Sequence, residues 1–154
     1  MTDRSVTHAT FTLERTYPAD TARVFAAWAD PAAKARWFGG PDAEHELDFR
    51  VGGREVARGK HDGMMLAFTT TYVDIIDGER IAYTSTLYFG DQLATASLTT
   101  VEFIPDAGSD SEATRLVLTE HGAYLDGHER PEWREEGTGQ QLAALAEELL
   151  RTHA

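Results

Sequence analysis

The order of the hydrophobic patterns constrains this chain more than any other feature: one alternating run, two short helical stretches, a series of further alternating runs at hairpin spacing, and a long amphipathic tail. In His8 to Tyr17, Phe11, Leu13 and Arg15 fall on one parity and Thr10, Thr12, Glu14 and Thr16 on the other, the mark of a half-buried antiparallel strand. Pro18 ends it, Asp20 or Thr21 caps a helix carrying Val24, Phe25 and Trp28, and Asp30-Pro31 opens a second helix with Ala33, Trp37 and Phe38, stopped by Gly39-Gly40-Pro41. Leu47, Phe49 and Val51 then alternate up to a Gly52-Gly53 turn, Arg54 to Lys60 returns, and His61-Asp62-Gly63 turns again. Leu66 to Ile76, Ile81 to Leu87, Leu93 to Ile104 and Thr114 to His121 complete about seven strands, with Asp77-Gly78 and Gly90-Asp91 between successive members. From Pro131 to Thr152 the pattern is helical, with Leu142, Leu145 and Leu149 on one side and Gly137 and Gly139 weakening the first turns.

These patterns predict an α+β fold in one domain over residues 1–154. A curved antiparallel sheet of about seven strands closes around the long C-terminal helix in a helix-grip, and two short helices follow the first strand. The gap between sheet and helix is the natural ligand site. Composition narrows what can occupy it. Hydrophobic residues make up 42% and charged residues 26%, the balance of a globular chain rather than a disordered or fibrous one. There is no cysteine, which excludes disulfides, thiolate zinc sites and cysteine nucleophiles. The six histidines are scattered without metal-ligand spacing, so neither a metal nor any other cofactor is expected. Acidic residues outnumber basic ones 26 to 14, for a net charge of −12 with no basic cluster, which disfavours nucleic acid and anionic membranes as partners. No apolar run, Met64 to Phe68 included, approaches the length needed to span a membrane, and no signal peptide is visible, so a cytoplasmic location is expected.

The segment Tyr17 to Pro31, Tyr-Pro-Ala-Asp-Thr-Ala-Arg-Val-Phe-Ala-Ala-Trp-Ala-Asp-Pro, together with Trp37-Phe38-Gly39, resembles the opening motif of the family of homologues of the heat-shock-protein-90 ATPase activator, within the START-like (SRPBCC) superfamily of helix-grip folds. Phe49 to Gly53 is similar to that family's second-strand glycine turn, Tyr72 to Ile81 to its central hairpin, and Thr114 to Glu120 to its last strand. The resemblance implies the same fold over nearly the whole chain. One position departs from it: where the family usually begins its terminal helix with Gly-Trp, this chain has Gly137-Thr138. A small hydroxyl in place of an indole enlarges the gap, unless Trp133 or Tyr124 moves in to fill it.

Strand parity nominates the lining. Leu118 shares a face with Leu116 and Glu120, so Glu120 is a carboxylate aimed into apolar surroundings and a candidate acid or base. His45 shares parity with Leu47 and Phe49 and is the second candidate. Glu55 and Arg58 lie on opposite parities, so at most one points inward, and an inward Arg58 would pair with Glu120 or bind an anion. Trp37, Phe49, Phe68, Tyr72, Tyr83, Val101, Phe103, Trp133 and Thr138 complete the expected ligand-binding set. The leading functional expectation is binding of a small apolar molecule, lipid- or polyketide-like. A cyclase- or hydrolase-like enzyme using Glu120 or His45 and a chaperone co-factor or stress-response interaction module are the alternatives. Leu93 to Ile104, placed at a sheet edge, would be long and free of lysine, which suggests a homodimer.

Overall fold

The computed structural model describes residues 4–39, 42–61, 63–106 and 112–151. Seven strands, β1 (Val6–Tyr17), β2 (Glu44–Leu47), β3 (Arg54–His61), β4 (Met64–Ile76), β5 (Arg80–Phe89), β6 (Gln92–Pro105) and β7 (Thr114–Leu125), form one antiparallel sheet in the order β1-β7-β6-β5-β4-β3-β2. Between β1 and β2 lie helix α1 (Thr21–Ala29), the short helix α2 (Pro31–Lys34) and a π-helical turn over Ala35–Gly39. Helix α3 (Pro131–Arg151) follows β7 and packs on the sheet's concave side. This is the helix-grip α+β architecture that the hydrophobic patterns require.

Local chemistry explains the boundaries. Asp20 caps α1 by accepting a hydrogen bond from the Arg23 amide, and Asp30 caps α2 by accepting one from the Ala33 amide. The strand expected to run through Leu47, Phe49 and Val51 stops at Leu47. From Asp48 the chain folds back on itself, with the Asp48 amide donating to the Arg54 carbonyl and the Gly53 amide to the Arg50 carbonyl. Val51 is consequently exposed. The two glycines of that turn serve different needs. Gly52 has φ +85°, whereas at Gly53 a Cβ would stand 2.1 Å from the Asp48 carbonyl oxygen. Gly40, Pro41 and Asp62, part of the expected turn residues, lie outside the described residues.

The sheet edges are β1 and β2. Leu93 to Ile104 falls in β6, which is paired on both sides by β5 and β7, so the edge argument for a homodimer does not hold. The core lies where α1 and the C-terminal half of α3 meet the sheet. Leu142, Leu145 and Leu149 are almost fully buried, each contributing about 1.5–3 kcal/mol of burial. Beside them the rings of Phe25, Phe49, Phe103, Tyr72, Trp28 and Trp37 pack edge to face, with centroids 4.9–6.1 Å apart. That half of α3 is also held by polar ties. The Tyr17 hydroxyl donates to the Leu142 carbonyl at 2.8 Å, the Gln141 amide to the Phe38 carbonyl at 3.0 Å, and Arg36 grips Glu148 through two bonds of 2.9 and 2.6 Å. The Arg23 guanidinium donates to the Leu149 carbonyl.

Candidate functional site

The N-terminal half of α3 is built differently. On its inward side the turn and a half before Leu142 holds Gly137, Thr138 and Gln141, and no residue between Arg134 and Leu142 is buried. Small and polar side chains cannot reach the sheet, so a concave space of about 440 Å³ opens beneath them, within the range of small-molecule sites. Its walls are Trp28, Trp37 and Phe38 from the first helices, Ala57 and Gly59 from β3, Leu66 and Phe68 from β4, Tyr83 and Leu87 from β5, and Leu118 and Glu120 from β7. A Cβ added to Gly137 would meet nothing within 4 Å.

Thr138 lines this space, with its hydroxyl donating to the Arg134 carbonyl one turn back at 2.9 Å, so the hydroxyl is satisfied within its own helix. Trp133 does not fill the room an indole would take. It is 56% exposed at the mouth, under the Arg130 guanidinium. Tyr124 is buried and its hydroxyl has no hydrogen-bond partner among the described residues, but it does not line the space. Of the expected lining, Trp37, Phe68, Tyr83, Leu118, Glu120, Trp133 and Thr138 border the cavity, whereas Phe49, Tyr72, Val101 and Phe103 sit in the packed core beyond it.

One end of the cavity is ionic. Arg134, buried on α3, stands with Nε 3.0 Å from Glu120 Oε1 and Nη1 3.1 Å from Glu129 Oε1. Its Nη2 reaches the Ser97 hydroxyl at 3.3 Å and Glu120 Oε2 at 3.5 Å, and its guanidinium stacks 5.0 Å over the Phe68 ring. Thr99 donates to Glu120 Oε2 at 3.1 Å and Thr95 to Glu129 Oε1 at 2.5 Å. The partner of Glu120 is therefore Arg134, not Arg58, and Glu120 is not an isolated carboxyl in apolar surroundings. Arg58 is exposed, because alternation turns inward Glu55 and Ala57 instead. The phenols nearby register the negative field. Burial first, and the Glu120 charge second, push Tyr83 well above the usual phenol range and Tyr124 up to about 12, with Arg134 opposing both.

His45, the second candidate, is not on the cavity wall. Its Nε2 lies 2.7 Å from Glu55 Oε2, within a second buried cluster behind the aromatic wall. Lys34 Nζ donates to Glu55 Oε1 at 2.9 Å, and the Tyr72 hydroxyl donates to the same oxygen at 2.5 Å. The Lys34 ammonium is 4.6–5.6 Å from the ring centroids of Phe38, Trp28 and Trp37. Burial alone would raise the Glu55 carboxyl. Lys34 and the hydrogen bonds from His45 and Tyr72 override it and hold the carboxyl at about 2.

The layout settles the chain's kinship. Residues 18–150 match the family described as Activator of Hsp90 ATPase homolog 1-like protein. The chain belongs to that family. Its START-like fold recurs in solved structures, among them an uncharacterised protein from Rhizobium leguminosarum, which is 38% identical with a TM-score of 0.90 and coverage of 97% of this chain and 99% of that one. The Mll3558 protein from Rhizobium loti is 45% identical with a TM-score of 0.86, over 94% of this chain and 99% of that one. CV1439 from Chromobacterium violaceum is 29% identical with a TM-score of 0.70, over 89% and 94%. Among curated proteins no relative matches.

In this family member the residues that sequence reasoning missed are Arg134, Glu129 and Lys34. Arg134 and Glu129 look like ordinary charges near a helix start, and Lys34 like the exposed end of a short helix. A signal for Arg134 was present: it precedes Thr138 by four residues and so shares its inward face. No helix among the described residues is long and apolar enough to cross a membrane.

Proposed function

We propose that the protein binds a small, mainly apolar molecule in the space between the N-terminal half of α3 and the sheet. One observation carries this reading: the inward face of α3 changes from leucines to Gly137, Thr138 and Gln141 where the opposite wall is Phe68, Tyr83 and Leu87. A core built for packing alone would fill that volume, because unfilled apolar space forfeits contacts on every lining side chain. The open space favours ligand binding over a closed interaction module. It also favours binding over acid–base chemistry. The group within reach of Glu120 is a guanidinium, which holds its protons throughout the physiological range and supplies charge rather than a proton.

The test is titration with N-phenyl-1-naphthylamine, a neutral apolar fluorophore, alongside native mass spectrometry of freshly purified protein for a co-purified molecule. Saturable one-to-one binding that is lost in Thr138→Trp is the expected result. Absence of binding by wild type, with no co-purified molecule, would refute the reading.

A further inference from the structure

The polar end of the cavity has an imbalance of charge and of hydrogen bonding that specifies what it would accept. Three ionic side chains line it: Glu120, Glu129 and Arg134, two negative and one positive. All three side chains are nine-tenths or more buried, so solvent screens the imbalance poorly. Arg58 and Lys60 also border the cavity, but strand alternation places their side chains on the outer face of β3, where both are exposed. They do not offset the surplus inside.

Hydrogen bonding tells the same story. Every nitrogen of the Arg134 guanidinium already faces an oxygen of Glu120, Glu129 or Ser97. The Thr138 hydroxyl and the Gln141 amide are donating to the Arg134 and Phe38 carbonyls. Glu120 Oε1 is different. Arg134 Nε is 3.0 Å away, close enough for an ion pair, but the N–H is not aimed at that oxygen, which accepts no hydrogen bond from the described residues. That oxygen is itself closed to solvent but belongs to a residue of the cavity wall, and with its lone pairs unfilled it is costly in the empty protein and attractive to a donor that reaches it.

We propose that the cavity selects molecules whose polar end is a protonated amine. The ammonium hydrogens satisfy Glu120 Oε1, the positive charge cancels the surplus shared by Glu120 and Glu129, and the apolar body lies against Phe68, Leu87 and Leu118. This rests on the cavity being a binding site and adds the chemical class of its ligand. A carboxylate or phosphate end would face the Glu120 and Glu129 carboxylates, with the Arg134 guanidinium between them already engaged; the unpartnered Trp28 Nε1–H on the wall carries no charge to offset that repulsion.

The experiment uses three dansyl sulfonamides with alkyl tails of matched length, ending in an ammonium (dansylcadaverine), a methyl group or a carboxylate, titrated into the intact protein at neutral pH and physiological salt. Dansylcadaverine should bind about tenfold or more tighter than the methyl-ended probe, the size expected when one surplus charge is neutralised in a poorly screened site, and the carboxylate probe should bind weakest. Glu129→Gln, which leaves the Glu120–Arg134 pair intact, should bring the ammonium and methyl probes to within about twofold of each other. Glu120→Gln should do the same, and circular dichroism melts report whether each variant folds. Thr138→Trp separates cavity binding from attraction to the acidic surface, since ammonium preference that survives in it arises outside the cavity and overturns the proposal. Equal or tighter binding of the carboxylate probe overturns it too, as does an ammonium preference that Glu129→Gln leaves unchanged. In those cases binding of the methyl probe leaves the cavity itself standing. If no probe binds, the binding reading falls and this inference with it.

Discussion

Thr138 occupies the inward face of α3 with its hydroxyl already satisfied, so its methyl and the adjacent Gly137 leave the roof of the cavity thin. Thr138→Trp places an indole, on the order of 200 Å² of surface, into that opening. It should abolish binding of N-phenyl-1-naphthylamine while changing stability by less than about 1 kcal/mol, whereas a filled site would be overpacked at a cost of about 1–3 kcal/mol. Thermal melts and probe titration distinguish the two. Lys34 offers the opposite case, a residue whose loss is felt in stability. Lys34→Met leaves Glu55 a buried anion without its ammonium partner and should cost about 3–5 kcal/mol by urea unfolding, while Lys34→Met/Glu55→Gln should cost less than Lys34→Met alone. The pH dependence follows from Glu55, whose folded value of about 2 lies below that of the unfolded chain. Its contribution is fully present above about pH 4.5 and is lost as pH falls toward 2. The wild type's advantage over the double variant should shrink across that window; a constant difference would mean that Glu55 is not held ionised by its neighbours.

At the scale of elements, α3 is two helices in one. Its C-terminal half is fixed by three buried leucines and by ties to β1, α1 and the π-helical turn, and its N-terminal half is a roof carrying Gly137 and Gly139. Gly137→Ala should stabilise the protein by about 0.8–1 kcal/mol, because the new methyl meets open space and the helix loses its most flexible residue. A smaller gain is expected at Gly139, where a Cβ would stand 3.4 Å from an Arg15 nitrogen. Chemical denaturation of the two variants checks the ranking, and destabilisation by Gly137→Ala would show that the roof is closed against something. The π-helical turn matters for the same site. Its wider coil sets Trp37 and Phe38 side by side, with centroids 5.7 Å apart, and both form cavity wall while Phe38 also covers Lys34.

For the whole molecule the net charge of −12 is a standing self-repulsion. Raising salt from about 10 mM to about 0.15 M shortens the screening length from about 30 Å to about 8 Å and should raise the melting temperature by a few degrees. The buried Lys34–Glu55 and Arg134–Glu120 pairs are shielded from that salt, so a falling melting temperature would mean that exposed ion pairs such as Arg115–Glu14 outweigh the repulsion.

Strand and helix succession, the start of the first helix at Asp20 or Thr21 and of the second at Asp30-Pro31, and the inward parity of Glu120, Leu118, Tyr83 and Phe68 were all legible in the chain. Each depends on neighbours within a few residues, where period and capping chemistry act directly. The family, too, was readable from local motifs, and Thr138 could be singled out because those motifs lead one to expect an indole there. Which strand lies at the edge was not legible, because β1 returns to pair with β7 across more than a hundred residues. Nor was the allegiance of the charges. Glu120 finds Arg134 and Glu55 finds Lys34 only once curved sheet and helices close on one another, since a buried ion takes whichever opposite charge the tertiary fold brings within about 3 Å. Local sequence determined what faced inward; tertiary closure decided which inward positions were filled, which were paired, and where a space was left between them.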